Sequence, residues 1–306
     1  AAKVSLGWKA DRVEPSLYAE AVKAAEDSDI AIVTVGVSSK MATEGRDWPS
    51  YALPKAQQDL LSAIKSTNRP MAILLLGGNA VDLTWEHKNA DALVHAWFPG
   101  EEGARAIADV LFGTYNPSGR LPVTFYESIK QLPEFTDYAM KGHTYRYFKG
   151  RALYPFGYGL SYTSFRYSDL AITPGATDTK GTVTVTAKVT NTGAKAGDEV
   201  AQLYVASDQP REFDPIKQLK GIQRVTLQPG ESKTVSFTLP AKAFSLVDEK
   251  GDLRVDAGEF TISVGGKQPD AESVADATTT GVVSGKVKLT GDTNYLAKDR
   301  PFPTKP

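Results

Sequence analysis

The 306-residue chain reads as an α/β sandwich with a mostly parallel sheet, followed by an all-β sandwich. Three observations predict this. Apolar runs of strand length alternate with helical patterns through the first half, the rhythm of a parallel sheet covered by helices. From about Thr173 the helical periods stop, and short segments alternate apolar and polar residues between turn signals such as NTG and QPG, as an antiparallel sandwich requires. Between the two, Tyr115 to Tyr162 is dense in Pro, Gly and aromatic residues. The expected divisions are residues 1–165, 166–287 and an irregular tail at 288–306, with patterning already weak from about Ala271.

The elements follow in order. Pro15 to Asp27 puts Leu17, Ala21, Val22 and Ala25 on one helical face, with Pro15 near its start. Ile30 to Val37 (IAIVTVGV) has the length and β-branching of a buried strand. A polar loop follows, then a helix from Lys55 to about Thr67. Met71 to Gly78 (MAILLLGG) is a second strand, closed by paired glycines. A helix is expected around Val81 to Lys88, a strand from Ala92 to Phe98, and a helix over Pro99 to Gly113. Glu101 and Glu102 would lie in the first turn of that last helix, where acids complement the dipole, and Gly113 would cap its end. In the second half, strands are expected in TVTVTAKVTNTG, DEVAQLYVAS, KQLKGIQRVTLQPG, ESKTVSFTLP and GEFTISVGG.

Composition excludes several function classes. Hydrophobic residues at 41% and charged residues at 23% describe a globular chain with room for two cores. A net charge of −1 with no block of like charge offers nothing to nucleic acid or an anionic membrane. No apolar run approaches the length of a membrane span. The absence of Cys excludes disulfides, thiolate nucleophiles and Cys-based zinc sites. His87 and His95 have no partner at metal-ligand spacing, so neither a metal nor another cofactor is expected. Gly77-Gly78-Asn79 lacks the Gly/Lys spacing of a phosphate loop, which weakens a nucleotide-binding reading. The opening AAKVSLGWKADRVEP has neither a cationic start nor an apolar signal core, so the chain is read as processed or as part of a longer product.

The candidate for chemistry is Glu44. An acidic residue on the loop after the C-terminal end of a parallel strand stands where open α/β sheets place ligands. Glu44 has no obvious catalytic partner elsewhere in the chain.

Several strings, in this order, carry a family resemblance: EGRDWPSYALP from Glu44, LLLGGNAVDL from Leu74, AWFPGEEGARAIADVLFGTYNPSGRLPVTF from Ala96, GHTYRYF from Gly142 and LYPFGYGLSYTSFRY from Leu153. VTNTGAKAGDEVAQLYV and KQLKGIQRVTLQPGESKTVSFTLP add a domain similar to the fibronectin type III-like module that ends many members. Over about residues 15 to 265 the chain resembles the C-terminal half of glycoside hydrolase family 3, the β-glucosidases and β-xylosidases. The resemblance implies a retaining, exo-acting β-glycosidase that removes terminal non-reducing glucosyl or xylosyl units from β-linked oligosaccharides or aryl β-glycosides. It also implies an N-terminal barrel domain, as a separate chain or cleaved fragment, that supplies an aspartate nucleophile. A secreted or periplasmic site of action is expected.

Retention needs two carboxylates roughly 5–5.5 Å apart, one attacking the anomeric carbon and one protonating the leaving oxygen. Glu44 matches the acid/base Glu of the family's E-G-x-D-R pattern, and Trp48 stands where that pattern has Arg. Asp47 is a candidate for ordering the loop or touching sugar. Trp48 is a candidate for stacking on a ring or for packing the loop, and Arg46 for an ion pair or an exposed charge. His143 and Arg146, with Tyr145, are candidates for the rim of the site, against packing by an aromatic-rich segment. The competing reading is a carbohydrate-binding or assembly module without chemistry, which has no need of a loop acid at a strand end.

Overall fold

A computed structural model describes residues 15–38, 41–45, 48 and 50–296. The chain divides into two compact units, one of residues up to Tyr115 with 125–131, the other of 116–124 with the residues from Leu132 onward.

The first unit holds α1 (Pro15–Glu26), β1 (Ala31–Gly36), α2 (Lys55–Ser66), β2 (Met71–Leu76), α3 (Thr84–Asn89), β3 (Ala92–Trp97), α4 (Gly103–Leu111) and the two-residue strand β4 (Phe125–Tyr126). The three long strands form a parallel sheet in the order β1-β2-β3. β2 is central, and all but its last residue are buried, which is why MAILLL can be apolar throughout. β1 differs from the buried strand expected for Ile30 to Val37. It is an edge strand that alternates, burying Val33 and Val35 while Ile30 and Ile32 stay 50% and 45% exposed. α2 buries Ala56, Leu60, Leu61 and Ile64, the i, i+4, i+5, i+8 face of an amphipathic helix. α4 begins at Gly103, so Glu101 and Glu102 precede the helix and do not occupy its first turn.

The end of β1 is clamped. Gln57, wholly buried on α2, accepts from the Gly36 N–H at 2.8 Å and donates to its carbonyl at 3.0 Å. Gly36 itself has φ +148°, and a Cβ there would meet the Leu76 carbonyl oxygen at 1.6 Å. That neighbour is backbone of the adjacent strand and has nowhere to go. Gly36→Ala is therefore expected to cost about 3 kcal/mol or more, read as a lower midpoint in urea unfolding. A midpoint within error of the parent's would mean that the two strands separate at little cost.

The second unit opens with loops, the single-turn helix α5 (Thr144–Tyr147) and β5 (Ala152–Tyr154). Two sheets follow. One has three strands, β6 (Phe165–Thr173), β8 (Thr182–Asn191) and β11 (Ser232–Pro240), in the order β11-β8-β6. The other has five, β7 (Ala176–Asp178), β9 (Gly197–Ser207), β10 (Gln218–Leu227), β14 (Gly258–Gly265) and β15 (Val282–Thr290), in the order β10-β9-β14-β15-β7. β12 (Leu246–Val247), β13 (Leu253–Val255) and β16 (Asn294–Tyr295) make a small third sheet. Alternate residues of both large sheets, among them Val183, Val185, Val189, Leu203, Phe237, Phe260 and Ile262, meet in one core.

Two sequence expectations are corrected here. β15 runs through the expected boundary at 287 and pairs with β14 from Gly258–Leu289 to Gly265–Val282, so this stretch is core sheet and not irregular tail. Its inward residues, Val287 and Leu289, are too few beside Gly, Ser and Lys to register as a pattern. β6 was not anticipated as a strand. A register shift between Ser168 and Ala171, with Asp169 at φ +53°, interrupts its alternation. The compact units divide at Tyr115, inside the first expected domain, because part of the Pro/Gly-rich stretch is bonded to the sandwich. Asn116 donates to Ala196 O at 2.9 Å, and Ala152 bridges Ser273.

Candidate active site

In a parallel sheet the connections leaving the C-terminal strand ends share one edge. Here they are the long loop after β1, the Gly77–Leu83 turn after β2 and the Phe98–Glu102 turn after β3. The β1 loop carries the candidate acid. Its first leg turns sharply, with the N–H groups of Met41 and Ala42 both donating to Ser38 O at 2.9 and 3.1 Å. Glu44 follows at an exposed position, its carbonyl accepting from Thr43 Oγ1 at 3.3 Å. Gly45 continues in the left-handed region at φ +73°. That conformation favours glycine and ends the tip directly after the acid.

The returning leg is anchored. Trp48 is half-buried, and its indole N–H donates to Ala52 O at 2.9 Å. Ala52 bridges Asp82, whose N–H reaches Tyr51 O at 2.7 Å. The Tyr51 hydroxyl accepts from Tyr126 N at 2.8 Å and donates to Tyr126 O at 3.2 Å. Burial pushes the Tyr51 phenol well above the ordinary tyrosine range, so it stays protonated and keeps both bonds. The segment from Trp48 to Ala52 is thus fixed to the body of the unit, and Glu44 itself is exposed.

Beneath the other turns, His95 Nε2 donates to Gly77 O at 3.2 Å. Burial lowers the affinity of this imidazole for a second proton, and its ring packs on Trp97, tilted by 34° with centroids 4.0 Å apart. His95 is thereby a neutral support of the Gly77 turn. Phe98 is 65% exposed, its ring lying across Gly78. Burial also raises the Glu86 carboxyl in α3, and the charge of nearby Asp82 adds to the push. Among the described residues, no three His, Asp or Glu side chains converge as metal ligands.

Of the residues singled out from sequence, Glu44 and Trp48 lie on this one loop, while Arg46 and Asp47 fall outside the described residues. His143 and Arg146 belong to the second unit. His143 precedes α5, and its Nε2 is buried without a partner. Arg146 donates from Nη2 to Gln218 on β10 at 2.9 Å, and its carbonyl accepts from Ile216 N. Sequence reasoning missed Gln57, Tyr51 and Phe98. A glutamine two residues into a helix and a tyrosine in a loop carry no local signal of the backbone groups they hold.

Residues 8–162 match the glycosyl hydrolase family 3 C-terminal domain. The chain belongs to this family. Residues 199–268 further match a fibronectin type III-like domain. Family 3 relatives include the periplasmic beta-glucosidase of Salmonella typhimurium, 38% identical over 86% of this chain and 36% of that protein. The xylan 1,4-beta-xylosidase of Xylanibacter ruminicola is 41% identical over 75% of this chain and 26% of its own length. Among solved structures, the family 3 beta-glucosidase of Bifidobacterium adolescentis superposes with TM-score 0.80 at 31% identity, over 95% of this chain and 44% of that one. The chain therefore spans about a third of the length of these curated family 3 relatives.

Proposed function

We propose that this chain is the acid/base half of a retaining, exo-acting β-glycosidase. In this reading Glu44 is the general acid/base, and an aspartate of a preceding barrel domain is the nucleophile. The observation that carries the reading is the position of Glu44, exposed on the loop that leaves the C-terminal end of β1, at the C-terminal edge of a parallel sheet in a family 3 chain. An exposed acid there is open to a site that another domain completes.

The substrates are terminal, non-reducing β-D-glucosyl or β-D-xylosyl units, the activities named for the Salmonella and Xylanibacter relatives. Asp47 and Trp48 are proposed to border the sugar from the same loop. Because the Trp48 N–H is spent on Ala52, only its ring face is left for a sugar. His143 and Arg146 are proposed as rim residues approached by the barrel. A periplasmic or secreted site of action is proposed on the name of the Salmonella relative. No helix among the described residues is long and apolar enough to cross a membrane.

Reconstitution tests this reading. The 306-residue chain alone is expected to leave nitrophenyl β-glucoside and β-xyloside intact, and the chain joined to its barrel domain to hydrolyse one or both. Turnover by the chain alone would remove the shared-site reading, and inactivity of the complete enzyme on both glycosides would remove the glycosidase.

A further inference from the structure

The second unit contains a cavity of about 250 Å³ that the reading above does not use. At roughly 30 Å³ per water it has room for about eight waters, the scale of one small ring. Two of its lining side chains, Thr124 and Lys217, are each only 8% exposed. The Thr124 hydroxyl has no hydrogen-bond partner. A buried hydroxyl without one is costly, and the cavity is the space from which a partner can come. The Lys217 ammonium donates to Pro269 O, which uses one of its three protons. Burial draws Lys217 below the usual lysine range, with Asp270 opposing that shift.

The remaining walls decide the kind of ligand. Lys149 and Lys217 are balanced by Asp270 and Glu272, so neither an anion nor a cation is favoured. Tyr145 and Phe148 supply ring surface, and Tyr145 is fixed by stacking on Phe156 with centroids 4.1 Å apart. Ring surface, an unpartnered hydroxyl, an ammonium with spare donors and carboxylate acceptors, with no net charge, fit a neutral polyhydroxylated ring. A second cavity of about 260 Å³ shares Pro155, Gln268, Asp270 and Ala271 with the first, which leaves room for an adjoining ring.

We propose that this cavity binds one pyranose unit of a neutral sugar, its hydroxyls on Lys217, Thr124 and Asp270 and its apolar face on Tyr145 and Phe148. The choice of a pyranose among neutral polyols rests on the glycosidase reading, whereas the cavity and its unpartnered hydroxyl do not.

The test is saturation-transfer NMR on the 306-residue chain, titrated with D-glucose, D-xylose, cellobiose and xylobiose. Saturable binding of at least one is expected. Thr124→Val keeps the side-chain shape and removes only a hydroxyl that no protein group uses. It should leave the thermal midpoint unchanged or raised while weakening the sugar roughly five- to tenfold. Lys217→Met should weaken it more, and if that variant does not fold, Thr124→Val carries the test. Glu44→Gln should bind as the parent does. No saturable binding, or binding indifferent to Thr124→Val, overturns the proposal. Binding lost in Glu44→Gln also overturns it, by moving the sugar to the β1 loop, and leaves the glycosidase reading standing. Conversely, a Glu44 variant that proves fully active would sink the acid/base assignment without touching the cavity.

Discussion

In the complete enzyme, Glu44→Ala is expected to lower kcat on a disaccharide by on the order of 10²–10⁴. The alkoxide leaving group of a disaccharide needs a proton as the bond breaks, and the variant has none to give. A dinitrophenyl glycoside leaves as a stable phenolate, so its first step should be nearly unaffected. Deglycosylation still lacks its base, and a glycosyl-enzyme should accumulate on the aspartate proposed for the barrel, visible as a burst of phenolate and as added protein mass. Azide needs no deprotonation and should restore turnover, releasing a β-glycosyl azide, since two inversions retain configuration. Equal modest losses on both substrates without azide rescue would move the acid/base role off Glu44. No loss at all would favour the binding-module reading.

The second large effect lies in the buried polar cluster of the sandwich unit. Arg120, with a side chain 6% exposed, pairs through Nη2 at 3.0 Å with Glu199, whose side chain is 0% exposed. Glu199 also accepts from Tyr167 at 3.1 Å and Thr280 at 3.2 Å, and Arg120 Nε donates to Gly266 O at 3.0 Å. The cluster ties the 116–124 loop to β6, β9 and the connection after β14. Burial pushes the Glu199 carboxyl up, and Arg120, Tyr167 and Thr280 oppose that push.

Arg120→Met removes the largest opposing charge and leaves a buried carboxylate. The expected loss is about 3–5 kcal/mol near neutral pH, a fall in melting temperature on the order of 10 °C or more. The loss should depend on pH with a definite sign. With its folded-state pKa raised further above the unfolded value, Glu199 binds more protons in the folded variant. The stability of the variant then falls as pH rises through that window, by about 1.4 kcal/mol per unit at most, and levels off above the folded pKa. Melts from pH 4 to 8 check this, and Arg120→Met/Glu199→Gln should flatten the slope. A variant as stable as the parent at pH 8 would mean that the pair contributes nothing.

The alternation of apolar runs and helices was enough to locate β1, β2 and β3, and the two-residue alternation enough to locate β8, β9, β10, β11 and β14. These are local periods, set by which face of a segment meets the core, and they survive without knowledge of any neighbour. The place of the Glu44 loop was legible for a related reason, since a strand-loop-helix pattern alone puts the loop at the C-terminal edge of a sheet.

What remained was decided at distances the pattern cannot see. β1 is an edge strand because only one neighbour, β2, pairs with it in the described sheet, and it leaves Ile32 exposed on one face. β15 is core sheet because β14 recruits it, although its own residues hardly alternate. The partners of Glu199 lie 32, 79 and 81 residues away along the chain, and Gln57 reaches back 21 residues to Gly36. Thr124 and Lys217 line one cavity although 93 positions separate them in the sequence, a difference of 217 and 124. Local periodicity reports the burial of a segment, and it determined the class of both units. Hydrogen-bond satisfaction of buried polar groups is a property of the folded interior, so it appeared only once distant segments were packed together.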